Sequence, residues 1–424
     1  MIPPFRLCLL SCARIILCAE IAGWLKPLPK GHNSMQKRNF VRLIAAVAGL
    51  AALSACTGPI APQQGNAAPS GPVTVALLVP TGSADANQDQ LGQSLVNAAE
   101  LANRDLASLE ITLKTYGTAG DQTTAASAAN QAIAEGADII LGPLFGDTTT
   151  AVAPIAGAKA LKILSFSNNP EIAGGNTYIL GQTFENTARR VTSFAAGRGL
   201  NRLAIVHPSG LEGETARDAI RTAAAAAGST IVTEGSYELS VEGITEAASG
   251  IATGIRGSGA NAVMLTDGPT AGLPYITESL RGLGVRPAAA KFIGLQRWDI
   301  SREAIGQPGL QGGWFAAPDP ALLTAFEARY SAAYGTPPHP LSALAYDGMA
   351  AIGALLAEAR AEGKGDPFST DRLTKSAGFA GVNGVFRFLP DGRNERALAI
   401  IEVSLGDARP IDPAPRSFAP ADGS

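Results

Sequence analysis

The amino-acid sequence predicts an α/β protein made of two doubly wound parallel-sheet lobes, and three observations carry that prediction. Residues 136–169 pass from an apolar segment (138–141) through Gly142-Pro143 and a helix-starting cluster (147–150) to a second apolar segment (162–166), which ends at Ser167-Asn168-Asn169. That order is strand, crossover helix and parallel strand. The same alternation precedes this stretch and starts afresh near Phe184. Finally, 424 residues at 46% hydrophobic content suffice for two cores of ordinary domain size.

In order, residues 73–79 (VTVALLV) form a buried parallel strand by their β-branched run, with Pro80 to Ser83 as its exit loop. From Gln90, apolar positions Leu91, Leu95, Ala98 and Ala102 fall at helical spacing, giving a helix to about Leu106. A second strand spans 111–116. Asp121 can cap a helix running to Glu135, where Gly136 suits a left-handed C-cap. Pro154 is expected in an early turn of the crossover helix.

The second set reads as helix 185–198, strand 202–206, helix 212–227, strand 229–233, helix 243–256, strand 260–265, helix 271–283 and strand 291–295. Residues 312–317 carry a strand into helices 321–334 and 342–362. Residues 384–389 and 396–403 form a hairpin-like pair around Pro390-Asp391-Gly392, and 406–424 read as a disordered tail.

In such sheets the loops leaving the carboxyl ends of neighbouring strands hold ligands, so 142–147 and 165–169 mark the expected cleft. Each candidate there has a plain alternative. Asp147, before Thr148 to Thr150, is a ligand contact or a helix cap. Ser165, Ser167 and Asn168 line the cleft or satisfy a strand end. Asp267, in a Thr-Asp-Gly-Pro loop, is a pocket acid or an Asx-turn residue. Trp298 is a cleft wall or a packing residue. Ser83 faces the same crevice from the first loop, the backbone N–H groups of 145–148 (Phe145, Gly146, Asp147 and Thr148) can meet an anion, and Gln182 and Thr183 serve a hinge.

Composition excludes several classes. The net charge of −3 leaves no basic excess for nucleic acid. His32, His207 and His339 are the only histidines and lie far apart in sequence, which argues against a zinc site or a histidine-dependent triad. No nucleophile with an adjacent base and no paired-carboxylate motif stands out, so the expectation is a non-enzymatic protein without cofactor.

The amino-terminal part sets the compartment. Residues 35–56 have a basic start (Lys37, Arg38, Arg42), an apolar stretch (43–53) and small residues before Cys56, the pattern of a secretory signal. Met35 is the better initiator, so 1–34 read as a mis-called start, with a long leading region as the alternative. Leu53-Ser54-Ala55-Cys56 resembles a bacterial lipobox, which implies cleavage before Cys56 and acylation of it, a lipid anchor. The resemblance further implies the outer membrane, because inner-membrane lipoproteins often carry Asp where Thr57 stands. Residues 57–72, rich in Pro, Gly, Gln and Ala, form a disordered tether spanning roughly 20–25 Å.

Six segments in order, VALLVPTGS, ADIILGPLFGDTTTAVAPIA, ILSFSNNP, RLAIVHPSGLEGETARDAI, ANAVMLTDGP and GVFRFLPDG, resemble the type I periplasmic binding-protein fold in its leucine/isoleucine/valine-binding branch over about residues 72–404. The resemblance implies three hinge crossings, near Thr183, Gly313 and Asn383. Lobe one then comprises 73–183 and 313–383, and lobe two 184–312 and 384–405. It also implies a carboxylate clamp whose serine position falls on Gly146 and threonine position on Asn168, with Asp267 (or Glu212 or Glu214) taking the ammonium of an amino acid. The lipobox, GADIILGPLFGD and SFSNN are similar to the penicillin-binding-protein activators, although the helical-repeat domain of the best-known activators is replaced here by the tether. On this reading the protein regulates peptidoglycan synthesis through a membrane-bound synthase. The alternative is the substrate-binding lipoprotein of a branched-chain amino-acid ABC transporter, working with a permease on an amino acid or small anionic ligand.

Overall fold

A computed structural model describes residues 71–418, which fall in one compact unit. The signal sequence, Cys56 with its lipobox, residues 57–70 of the tether and residues 419–424 lie outside the described residues.

The first sheet contains β1 (Val73–Val79), β2 (Ile111–Gly117), β3 (Ile139–Leu141), β4 (Ile163–Ser165) and β5 (Thr177–Ile179), all parallel in the order β2-β1-β3-β4-β5. Between them run α1 (Ala86–Asp105), α2 (Gln122–Ala134) and α3 (Gly146–Gly157). Asp121 caps α2, its side chain accepting from Thr124 N at 2.8 Å. α1 starts earlier than its apolar spacing predicts, because Asp85 accepts from Asn87 N and adds a polar first turn. Pro154 sits in the interior of α3 rather than in an early turn. β5, absent from the sequence reading, is a three-residue buried strand whose pairing with β4 outweighs its shortness.

The second sheet holds β6 (Arg202–Pro208), β7 (Thr230–Tyr237), β8 (Ala262–Leu265), β9 (Lys291–Gly294), β10 (Trp314–Ala317), β14 (Ala399–Ser404) and β15 (Asp407–Asp412). Its parallel part runs β7-β6-β8-β9-β10; β14 pairs antiparallel to β10, and β15 antiparallel to β14. It is covered by α4 (Phe184–Gly197), α5 (Leu211–Ala226), α6 (Val241–Ser258), α7 (Leu273–Gly282) and α8 (Arg302–Ile305). β7 continues four residues past its apolar run, since an edge strand can turn Glu234 and Ser236 outward. The expected disordered tail begins with β15, which covers the outer edge of β14, and Ala414 packs into the core beneath.

Two of the three crossings differ from expectation. β10 ends the parallel part of the second sheet, burying Phe315 and Ala317 there, so the chain returns to the first lobe at 318–319, not near Gly313. It enters α9 (Pro320–Tyr334), α10 (Ala343–Glu362) and the short α11 (Thr370–Leu373), with Phe326, Tyr330 and Ile352 in the first core. Next, β11 (Phe379–Gly381), β12 (Gly384–Phe388) and β13 (Asn394–Arg396) form a small antiparallel sheet. Phe379, Phe386 and Phe388 pack into the first lobe, Phe388 edge-on to Tyr178 at 5.5 Å. The third crossing therefore lies at 397–398 rather than near Asn383, and the expected hairpin is β12 with β13, while 399–404 leave for the other sheet.

Candidate functional site

The crossings are tied together by buried polar groups. Asp347, on α10, has no exposed side-chain surface and accepts from Val382 N (2.8 Å), Asn383 N (3.3 Å), Asn383 Nδ2 (2.9 Å) and Arg396 Nη1 (3.1 Å). Arg396, 2% exposed in its side chain, also donates from Nε to Leu180 O at 2.9 Å and lies over the Phe386 ring. Asn394 Nδ2 donates to Ile179 O and Gly181 O, and Asn186 Nδ2 to Asn394 O. The first and third crossings are thus bonded side by side.

Above this hub, between the lobes, lies a cavity of about 460 Å³. The first lobe contributes Asn168 beyond β4, Gln182 and Thr183 beyond β5, the 339–341 loop, Leu344 and Asn383. The second contributes Phe184 and Thr187 of α4, Glu212 in the first turn of α5, Leu295 to Arg297 and Ile300 beyond β9, and Pro318 beyond β10. The crossing segment adds Arg396 and Leu398. Parallel sheets deliver their loops to one edge, which is why residues so distant in sequence meet here.

The charged members of the wall are largely compensated. Arg396 is paired with Asp347, and Arg297 grips Asp299 at 3.0 and 2.7 Å. His339 Nδ1 accepts from Leu341 N at 3.2 Å, and burial holds the imidazole pKa below its ordinary value. Glu212 is exposed at a helix N-terminus, where backbone N–H groups favour a carboxylate. The neutral groups are carboxamides: Gln182 Nε2 donates to Thr187 Oγ1 (3.0 Å), Gln296 Nε2 to Thr266 O (3.1 Å) and Asn383 Nδ2 to Asp347. Among the described residues, none of the amide oxygens of these three receives a hydrogen bond. Ile300 and Leu341, 53% and 41% exposed, bring apolar surface to the cavity from opposite lobes.

Of the candidates from sequence, Asn168 stands in this wall, as do Glu212, the alternative to Asp267 for the ammonium, and the expected hinge residues Gln182 and Thr183. Ser165 is fully buried, donating to Pro143 O and accepting from Ser167 N, so it fastens the loop after β4. Ser167 in turn accepts from Asn169 N. Gly146 lies beside Ser167 Oγ and the Asn169 side chain, and α3 has no side-chain cap, so Asp147 is an exposed first-turn residue rather than the cap. Thr148 is buried and donates back to Phe145 O, while Phe145 packs half-buried against the first core. Ser83 accepts from Asp85 N and meets Gln88 beside α1.

Asp267 is buried away from the cavity, accepting from Tyr237 Oη at 2.8 Å and Gly268 N at 2.7 Å. Burial, then the neighbouring carboxylate, raises the Tyr237 pKa far above its usual value and keeps the phenol a donor. Trp298 has no exposed surface; it packs in the second core beside Phe315 and against Gly294 and Gly313, and so forms no cleft wall. Sequence reasoning missed Gln296, Arg297 and Arg396, which no local motif marks; Gln182, Thr183 and Asn383 were placed at hinges, and Glu212 was the alternative acid for the ammonium. Among the described residues no group of three His, Cys, Asp or Glu is arranged to hold a metal ion, and no helix is long and apolar enough to cross a membrane.

The profile of the family described as periplasmic binding protein matches residues 72–408. A search of curated proteins returns no match. Among solved structures, the chain is similar to one described as a branched-chain amino acid ABC transporter from Rhodospirillum rubrum, at 19% identity and TM-score 0.68 over 80% of this chain and 99% of that one. A branched-chain amino acid ABC transporter periplasmic ligand-binding protein from Burkholderia xenovorans is 20% identical, with TM-score 0.62 over 82% and 94%. An ABC transporter substrate-binding protein from Desulfitobacterium hafniense, solved in complex with Leu, is 18% identical, with TM-score 0.60 over 80% and 100%. At such identities the likeness is one of fold.

Proposed function

The chain belongs to the periplasmic binding protein family, and from that premise we propose that it is the substrate-binding component of an ABC-type transporter of the branched-chain amino-acid kind. The sequence alone ranks this reading second; it now stands ahead of the regulator of peptidoglycan synthesis. The observation that carries it is the 460 Å³ cavity walled by both lobes at the carboxyl ends of their strands. Pockets of about 300–1,000 Å³ suit small organic ligands. Closure of the lobes would cover Ile300 and Leu341, apolar groups left open in the present arrangement. The protein works in the periplasm, held by lipid on Cys56, and hands its solute to a permease. Binding, without chemistry, is its activity.

The regulator reading retains one supporting observation: Asp267, first choice for the ammonium, and Gly146, at the serine position of the clamp, lie outside the cavity wall. A thermal-melt panel of free amino acids, their acyl and amide derivatives and peptidoglycan fragments at millimolar concentration separates the two. A ligand present at a thousandfold excess over Kd stabilises the folded state by about 4 kcal/mol. Receptor function predicts a saturable shift with a small solute, lost when Leu344→Arg fills the cavity. No shift with any solute, together with capture of a peptidoglycan synthase, would reverse the order.

A further inference from the structure

Resting on the receptor reading above, the cavity's chemistry identifies its solute class: we propose that it selects a ligand of zero formal charge bearing amide groups and a branched aliphatic part. Both arginines in the wall already hold their own carboxylates, Arg396 with Asp347 at 3.1 Å and Arg297 with Asp299 at 2.7 Å. Glu212 stands at the exposed rim, where the α5 N-terminus faces it. A free carboxylate enclosed here would lose water without gaining a counter-charge, and an ammonium would find only Glu212, which stays in water at the rim, so the desolvation of either is costly.

What the wall does offer is carboxamide. Asn168 and Gln182 of one lobe face Gln296 of the other, and Asn383 lies at the base. Each carboxamide pairs a donor with an acceptor, the complement of another amide. The internal bonds of Gln182, Gln296 and Asn383 each use an N–H and leave the amide oxygen to accept from a ligand N–H. Leu295, Leu344 and Leu398 supply the apolar remainder.

The test is calorimetric titration of the full-length protein in detergent at pH 6.5 with four matched compounds: N-acetyl-leucinamide (neutral), leucinamide (cation), N-acetyl-leucine (anion) and leucine (zwitterion). The neutral compound is expected to bind at least tenfold tighter than each of the others. Gln296→Glu, a near-isosteric change that places a carboxylate in the wall, is expected to shift preference at least tenfold toward leucinamide. Leucine or either ion binding as tightly as the neutral compound overturns the inference and leaves the receptor reading standing. An unchanged preference in Gln296→Glu overturns it as well. Failure of all four, with no response to the wider solute panel, removes the receptor reading and this inference together.

Discussion

Asp347→Ala is expected to be among the most damaging single substitutions in the chain. The carboxylate has no exposed surface, its partner Arg396 is 2% exposed, and four N–H groups converge on it. Removing it leaves a buried guanidinium without counter-charge, a change that costs about 3–5 kcal/mol. It also strips acceptors from Val382 N and from both donors of Asn383, so the upper part of that range is expected. At roughly 2 °C per kcal/mol, the midpoint of thermal unfolding should fall by about 6–10 °C. The assay is denaturant unfolding of wild type, Asp347→Ala, Arg396→Met and the double variant Asp347→Leu/Arg396→Met. Because a buried pair replaced by apolar residues of similar size is often close to neutral, the double variant should recover most of the loss. A loss below about 1 kcal/mol for Asp347→Ala, or strictly additive effects in the cycle, would refute the reasoning that these groups form one desolvated unit.

Three further outcomes follow from the same structure. Trp298→Ala should cost about 3–5 kcal/mol as a core truncation, while affinity for a cavity ligand, measured on folded protein by calorimetry, changes less than threefold; a tenfold affinity loss without destabilisation would put the indole in the cleft. Tyr237→Phe leaves the buried Asp267 carboxylate with Gly268 N alone, so denaturant titration should show about 1–3 kcal/mol of destabilisation with ligand affinity unchanged. His339 has its folded pKa lowered by burial, so the unfolded chain binds its proton first on acidification. Its contribution is therefore complete above the ordinary histidine value of about 6.5 and declines as pH falls through that value toward the folded one. His339→Gln should flatten the wild-type stability profile over that window, and an unaltered profile would deny the effect.

Much of the fold was legible because its signals are local. The runs VTVALLV and 138–141 are strands by composition, Asp121 sits where its side chain can cap the next helix, and Gly136 adopts the positive φ that its place after α2 requires. Strand ends point to one edge in any parallel sheet, and of the two loops expected at a cleft only that of 165–169 brings a residue, Asn168, to the cavity wall. Missed were features whose stabilisation comes from a distant partner: β5 and β15 exist because β4 and β14 offer them edges, and β7 extends because it lies at one.

The sequence by itself determined the class of fold and the alternation of its elements, since helical spacing, strand alternation and caps act within a few residues. Only the tertiary structure decided which side chains reach the cavity. Gln296 and Arg297 line it while Trp298, the next residue, is buried in the core, and Asp347 meets Arg396 across 49 residues of chain. The physical reason is that a side chain's direction in a loop, and its partner across a crossing, are set by the packing of the two lobes and not by its neighbours in sequence.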